Sequence, residues 1–336
     1  MLQANGWDLK VSSMRTDILC FLVFTICISL SCCNHSVKHS DQNAEENAVS
    51  LFVLGTVQDA GSPHIGCKKK CCKALFIHPD NTRKVTSLGL INHRSNETWL
   101  MEATPDIAAQ LKDLKRLSNN TEELPNGILL THAHIGHYSG LMYLGKEAIN
   151  ADSVSVFAMP TMKEFLETNG PWSQLVSNKN INLVSMQSQI EFSLGDRSDS
   201  LRVKPIIVPH RDEYSETIGF VINGPNKTAL FVPDIDKWDK WDTDIKGLIQ
   251  EVDYAFVDAT FYSGQEINYR DISQIPHPMV KETMHRLSDL SINHKKKVYF
   301  IHMNHTNPLL KKESGEYQEV IDAGYNIASY LQEFDL

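Results

Sequence analysis

Short apolar and β-branched runs recur along the chain, and each stops abruptly at a turn former or at a side chain with chemistry to offer. Residues 51–56 read as a strand closing in a glycine turn, and 85–92 with 98–102 as strands paired around Arg94, Ser95 and Asn96. Thr104, Pro105 and Asp106 open a predicted helix running to Arg116, with Pro105 at its first position. Residues 128–131 form a short buried strand, 141–149 a helix, 154–159 a strand and 161–168 another helix. The second half keeps this rhythm without repeating the sequence. Strands are expected at 201–208, 217–222, 229–232, 254–257 and 298–301, with a helix at 279–287 just after Pro276, His277 and Pro278.

The residues just past the strands matter more than the strands. His132, His210, Asp234 and His302 each come at or near the end of a β-rich run, and Asp258 closes a fifth. Ligands at strand ends converge along one edge of a sheet, where α/β architectures place their sites. The densest stretch is the loop after 128–131, where His132, His134 and His137 lie within six residues. Imidazole is the commonest protein ligand for zinc, and ordinary solvated loop histidines seldom cluster this tightly after a strand. The loop reads as a metal site.

The rest of the composition narrows the class. A chain of 336 residues with 42% hydrophobic content can bury a sizeable core. A formal net charge of -9 argues against a nucleic-acid surface, and the runs Lys68 to Lys70 and Lys295 to Lys297 read as solvated loop charge. The expected partner is a small-molecule substrate. Residues 18–30 form an apolar run after Arg15, the length of a signal-peptide core and short for a membrane span. That run ends at Cys32 and Cys33, like a bacterial lipoprotein processing site, although Ser29 stands where an aliphatic residue is usual. Simple secretion or a retained anchor is the alternative. The organisation expected is a signal peptide at 1–33, a disordered polar tether at 34–50 and a catalytic domain at 51–336. The protein is then exported, either periplasmic or held to a membrane by an N-terminal lipid.

These residues carry a resemblance to a known family. His132, His134 and His137, followed by His210, Asp234 and His302, resemble the metal-ligand series of the metallo-β-lactamase fold superfamily over nearly all of 51–336. Residues 301–309 and the opening strand with its cysteine-bearing loop resemble pyrroloquinoline-quinone biosynthesis protein B and its relatives. His277 ahead of a helix resembles the phosphodiesterase branch, which includes tRNase Z and the cyclic phosphodiesterase of phosphonate breakdown. The resemblance implies a four-layer α/β/β/α sandwich; the pattern alone implies only α/β. It also implies one ion on His132, His134 and His210 and a second on His137 and His302, with Asp234 shared. The family motif has aspartate where this chain has Gly136, so the second position is expected to be weaker or to use an untypical ligand, with His64 and Asp59 as candidates.

The chemistry expected is hydrolysis by a metal-bound hydroxide, using one or two zinc ions, with manganese or iron as alternatives. Asp234 bridges and orients, while His277 contacts an anionic oxygen or protonates the leaving group. A surface loop histidine is the plain alternative for His277, and Asp258 is a candidate support for a histidine ligand. Of seven cysteines, Cys67, Cys71 and Cys72 lie outside the signal segment. Export favours disulfides, whereas the resemblance implies a structural zinc on these three and His305. A phosphodiester is the expected substrate. A cofactor-biosynthesis role with iron and β-lactam hydrolysis are the alternatives.

Overall fold

The computed structural model describes residues 48–195, 201–267 and 271–336. The first half of the chain gives strands β1 (Val49–Gly55), β2 (Ser87–Asn92), β3 (Glu97–Met101), β4 (Gly127–Leu129), β5 (Val154–Ala158) and β6 (Ile181–Ser185). The second gives β7 (Phe192–Ser193), β8 (Arg202–Ile207), β9 (Ile218–Asn223), β10 (Thr228–Val232), β11 (Tyr254–Asp258), β12 (Val298–Ile301), β13 (Asn326–Ile327) and β14 (Glu333–Asp335). Among the described residues they make two sheets of seven, ordered β14-β1-β2-β3-β4-β5-β6 and β13-β12-β11-β10-β9-β8-β7. Strands β3 to β6 run parallel, as do β10 to β13, so each sheet presents a row of strand ends on one edge.

Alternation of side chains within β1 builds the layers. Leu51 and Val53 turn toward the other sheet and meet Phe220, Phe231 and Phe256 in a core between the two. Phe52 and Leu54 turn the opposite way, into a core with Ile107, Leu114, Met162, Leu166 and Leu175. Those residues belong to helices on the outer face of the first sheet. A third core, where Leu230 and Val257 meet Ile245, Ile249, Val280 and Val320, covers the outer face of the second sheet. Three apolar layers separate four structural ones, and the fold is an α/β/β/α sandwich.

The helices are α1 (Lys70–Lys73), α2 (Ile107–Leu117), α3 (Ile135–Tyr138), α4 (Pro160–Thr168), α5 (Trp172–Ser177), α6 (Ile245–Glu251), α7 (Val280–Arg286), α8 (Ile292–Lys295) and α9 (Gly315–Asp322). Three local readings of the sequence need correction. Pro105 lies outside α2, because Asp106 is the N-cap and its carboxylate accepts from the Val85 amide at 2.7 Å rather than capping the helix. The helix expected at 141–149 is instead α3 followed by a 3-10 helix over Ser139–Leu144. Its backbone is tied to a neighbouring segment, with the Gly140 amide bonded to the Ala103 carbonyl, and Gly145 is extended. Finally β1 starts at Val49, so 49–50 are strand rather than tether. The signal peptide expected at 1–33 and residues 34–47 of the expected tether lie outside the described residues. Among the described residues no helix is long and apolar enough to cross a membrane.

Candidate metal centre

Asp234, just past β10, is buried and has six histidine rings within reach. Its Oδ2 lies 3.5 Å from His132 Nε2, 4.0 Å from His134 Nδ1, 3.8 Å from His137 Nε2 and 4.0 Å from His302 Nε2. Its Oδ1 lies 3.3 Å from His210 Nε2, and 3.0 Å from Nδ1 of His277. Two four-residue groups share this carboxylate. His132, His134, His210 and Asp234 form one; Asp59, His137, His302 and Asp234 form the other. The fold therefore brings together all six ligands expected from the sequence, and Asp59 joins them. His64 does not. Its ring stacks on His305 with centroids 4.3 Å apart, and its Nδ1 meets the Ile65 carbonyl.

Several of these atoms are buried yet make no hydrogen bond: both ring nitrogens of His210 and of His137, and Asp234 Oδ1. A buried polar atom left unpaired costs about 1–3 kcal/mol, so a cluster of them needs an account. His137 Nε2 is 3.0 Å from Asp59 Oδ1 without forming a hydrogen bond to it. Donors that converge on a common point give this geometry, and His132 Nε2 and His134 Nδ1, 2.8 Å apart, point into the same space. Ligand atoms about 2.0–2.2 Å from a shared tetrahedral ion sit about 3.3–3.6 Å apart; His132 at 3.5 Å and His210 at 3.3 Å from Asp234 match, and His134, His137 and His302 lie slightly farther, at 3.8–4.0 Å. The donor set fits a divalent cation in each group.

Supporting atoms fix the rings. Thr260 Oγ1 donates to Asp258 Oδ1 at 2.7 Å and lies 3.0 Å from His302 Nδ1. With its hydrogen committed to Asp258, the hydroxyl accepts from His302 Nδ1–H, leaving Nε2 bare toward Asp59 and Asp234. Asp258 also accepts from His277 Nδ1 at 2.9 Å, so it supports His277 directly and His302 through Thr260. Thr131 Oγ1 lies 2.9 Å from His132 Nδ1. Glu102, fully buried at the end of β3, places Oε2 3.4 Å from His137 Nδ1. Sequence reasoning misses Glu102 and Thr260, although Glu102 obeys the strand-end rule that finds the others. Glu102 and His302 both adopt left-handed backbone angles, with φ of 74° and 66°. Non-glycine residues adopt that region at a cost, and such strain gathers at functional sites.

Charge follows from this packing. Burial opposes ionisation of Asp234, but His277, His210 and His302 outweigh it and hold the carboxyl well below its usual range. Burial likewise opposes protonation of His277, yet Asp234 and Asp258 raise it to about 10. Burial and the neighbouring His137 push His132 down, so that ring stays neutral and able to accept a cation.

The cysteines form a separate cluster with His305. Cys67 Sγ and Cys71 Sγ are 3.8 Å apart, as are Cys71 Sγ and Cys72 Sγ, and all three thiols are free. Sulfur ligands at about 2.3 Å from a tetrahedral zinc would stand about 3.8 Å apart. The His64 amide donates to Cys72 Sγ at 3.3 Å, and His305 Nδ1 is buried with no hydrogen bond. Burial and the neighbouring thiols push Cys72 up to about 12, so a thiolate there calls for a nearby cation. Burial holds His305 neutral down to about 4. A cavity of about 1070 Å³ runs between this cluster and His277, bordered by Cys67, Lys68, Arg211, Lys237 and Lys240.

A family model described as a beta-lactamase superfamily domain matches residues 98–303. Coenzyme PQQ synthesis protein B of Acinetobacter baumannii strain SDF is 23% identical over 300 residues, covering 83% of this chain and 97% of that protein. The solved structure of Zn(2+)-bound PqqB from Methylobacterium extorquens superposes with a TM-score of 0.70 at 19% identity, covering 85% of this chain and 100% of that one. A diphosphatase of the PhnP family superposes with a TM-score of 0.60 at 19% identity, covering 85% and 96%. At these identities the solved structures establish the shared fold.

Proposed function

The chain belongs to the beta-lactamase superfamily, and from that premise we propose that it is an exported metal-dependent hydrolase acting on a phosphodiester or related anionic small molecule. The observation that carries this reading is His277, held between Asp234 and Asp258 at the border of a cavity with cationic side chains around it. His132, His134 and His210 would hold one ion, His137 and His302 the other, with Asp234 between them. Zinc is proposed for both, since imidazole-rich sets suit it, with manganese or iron(II) as alternatives. Divalent ions at these positions would supply Lewis acidity and make water a nucleophile near neutral pH.

The chain's own groups do the rest. His277, whose Nδ1 is held by Asp258 at 2.9 Å, can pass a proton to the departing oxygen. Asp258 and Thr260 hold that ring and His302 in register. Arg211, Lys237 and Lys240 give the cavity a positive border suited to an anion, although they also pair with Glu213, Glu282 and Asp236 respectively. That a fold neighbour is a diphosphatase agrees with a phosphorus substrate. Cys67, Cys71, Cys72 and His305 are proposed to hold a further, structural zinc.

One observation favours a second reading. Coenzyme PQQ synthesis protein B aligns over 97% of its length, which supports a role in cofactor synthesis; an accessory or oxidative role with iron is the form proposed for it. A substrate panel on the purified full chain separates the two. Hydrolysis of bis(p-nitrophenyl) phosphate or a cyclic nucleotide above that of nitrocefin is the expected result. Nitrocefin turning over fastest would reverse the substrate class, and oxygen uptake with iron but no hydrolysis would favour cofactor assembly.

A further inference from the structure

Resting on the two-ion reading of the histidine centre, we infer that Asp59 is the carboxylate ligand of the second ion, and that Gly136 lacks a side chain because Asp59 occupies its place. The two positions form one paired feature, although 77 positions apart in the numbering.

Asp59 reaches the centre from the loop after β1, and that loop is pinned. The Gln58 amide bonds to the Met303 carbonyl at 2.9 Å, the Met303 amide to the Thr56 carbonyl at 2.8 Å, and the Gly61 amide to the Gln58 carbonyl at 2.9 Å. Val57 bridges both Val85 and Met303, one residue past His302. A single oxygen, Asp59 Oδ1, then faces two rings: 3.0 Å from His137 Nε2 and 3.4 Å from His302 Nε2. Thr260 leaves the His302 Nε2 bare on its far side, and Glu102 Oε2 lies 3.4 Å from Nδ1 behind the His137 ring.

Gly136 lies directly against this carboxylate. A Cβ built there would fall 2.3 Å from Asp59 Oδ1 and 2.5 Å from Asp59 Cα, distances no real side chain tolerates. The glycine has no left-handed backbone angle to explain it, so close approach is the reason it is glycine. The same short distance means that a carboxylate attached at 136 would enter the space Asp59 now fills. With the Asp59 backbone itself this close, a side chain at 136 displaces the Asp59 carboxylate rather than standing beside it.

The test is metal binding by the stripped full chain, with Mn2+ as probe because thiolates disfavour it and the cysteine cluster stays silent. Calorimetry and electron paramagnetic resonance count the ions, and circular dichroism follows the fold. The wild type is expected to bind two. Asp59→Asn, nearly the same shape, should keep the first ion and weaken the second by at least about 10-fold, the lower end of what losing even an outer partner costs. Gly136→Asp alone should lose the second ion through the clash, and adding Gly136→Asp to Asp59→Asn should weaken that ion little further, because the first change has already displaced the carboxylate. Wild-type affinities for both ions in Asp59→Asn, or in Gly136→Asp with Asp59 in place, would overturn the assignment. A double variant in which the two losses add in full would overturn the pairing of the two positions. A wild type that binds no ion at all would bring down the two-ion reading as well.

Discussion

The two ligand clusters of this protein are built in opposite ways. The histidine centre draws on segments following β1, β4, β8, β10 and β12, and its residues lie just past strands packed in three separate cores. His132, His137, His277 and His302 each have a supporting oxygen nearby. The cysteine cluster takes three of its four residues from 67–72, on and beside a four-residue helix with no side-chain cap. An isolated helix of that length is not stable in water. Its surroundings bury little apolar surface, since Ile65, Phe76 and Ile77 are exposed at 81%, 56% and 71%. The centre is thus a site that a fold has prepared, while an ion in the cysteine cluster would itself organise the loop around it.

The largest effect expected on this contrast comes from Asp234→Ala. Both groups lose their shared carboxylate, so hydrolysis should fall by well over the roughly 100-fold that an outer partner is worth. His134→Ala should act in the same direction on one group. Because the three cores do not depend on Asp234, the fold should persist and the cysteine cluster should keep its zinc. Metal analysis of the purified variant checks this. Wild-type metal content in both variants would remove the basis for the centre, and loss of the cysteine-bound zinc would show that the clusters are coupled.

Cys71→Ser should do the converse. The ions of the histidine centre stay, the loop zinc goes, and the melting temperature drops by roughly 2–4 °C for each kcal/mol lost. Protease cleavage should concentrate between residues 60 and 84. Since Cys67 and Lys68 border the cavity beside His277, KM should rise while kcat holds. A disulfide among Cys67, Cys71 and Cys72 in native mass spectrometry would rule the zinc out.

The same contrast decides how much of each site is legible in the sequence. His132, His210, Asp234 and His302 are legible because each comes just after a buried strand, and parallel strands bring such positions to one edge. Cys67, Cys71 and Cys72 are legible because they are neighbours in the chain. Glu102 and Thr260 stay hidden, since their roles depend on the rings they touch across the fold. Gly136 reads as a missing ligand, because the chain order cannot show that Asp59 fills the space. The 3-10 helix at Ser139–Leu144 is hidden for a similar reason: a tertiary hydrogen bond to Ala103 overrides its local pattern.

The smallest expected effect belongs to Thr260→Val, and it tests whether preparation of the centre is real. Valine keeps the volume and branching of threonine but removes the hydroxyl between His302 and Asp258. Asp258 keeps its bonds from the Thr260 amide and His277, so that carboxylate is not stranded. His302 Nδ1–H loses its acceptor, and the ring no longer has one protonation pattern imposed on it. The second ion should then bind about 10-fold more weakly, about 1.4 kcal/mol, while the first ion and the cysteine cluster are unchanged. Thr260→Ser, which restores the hydroxyl, should return the wild-type affinity. Calorimetric titration of the three proteins reads this directly. Equal affinity in the valine variant would mean that the pinned strand ends alone orient His302, and that the centre differs from the cysteine cluster by its scaffold rather than by its supporting hydrogen bonds.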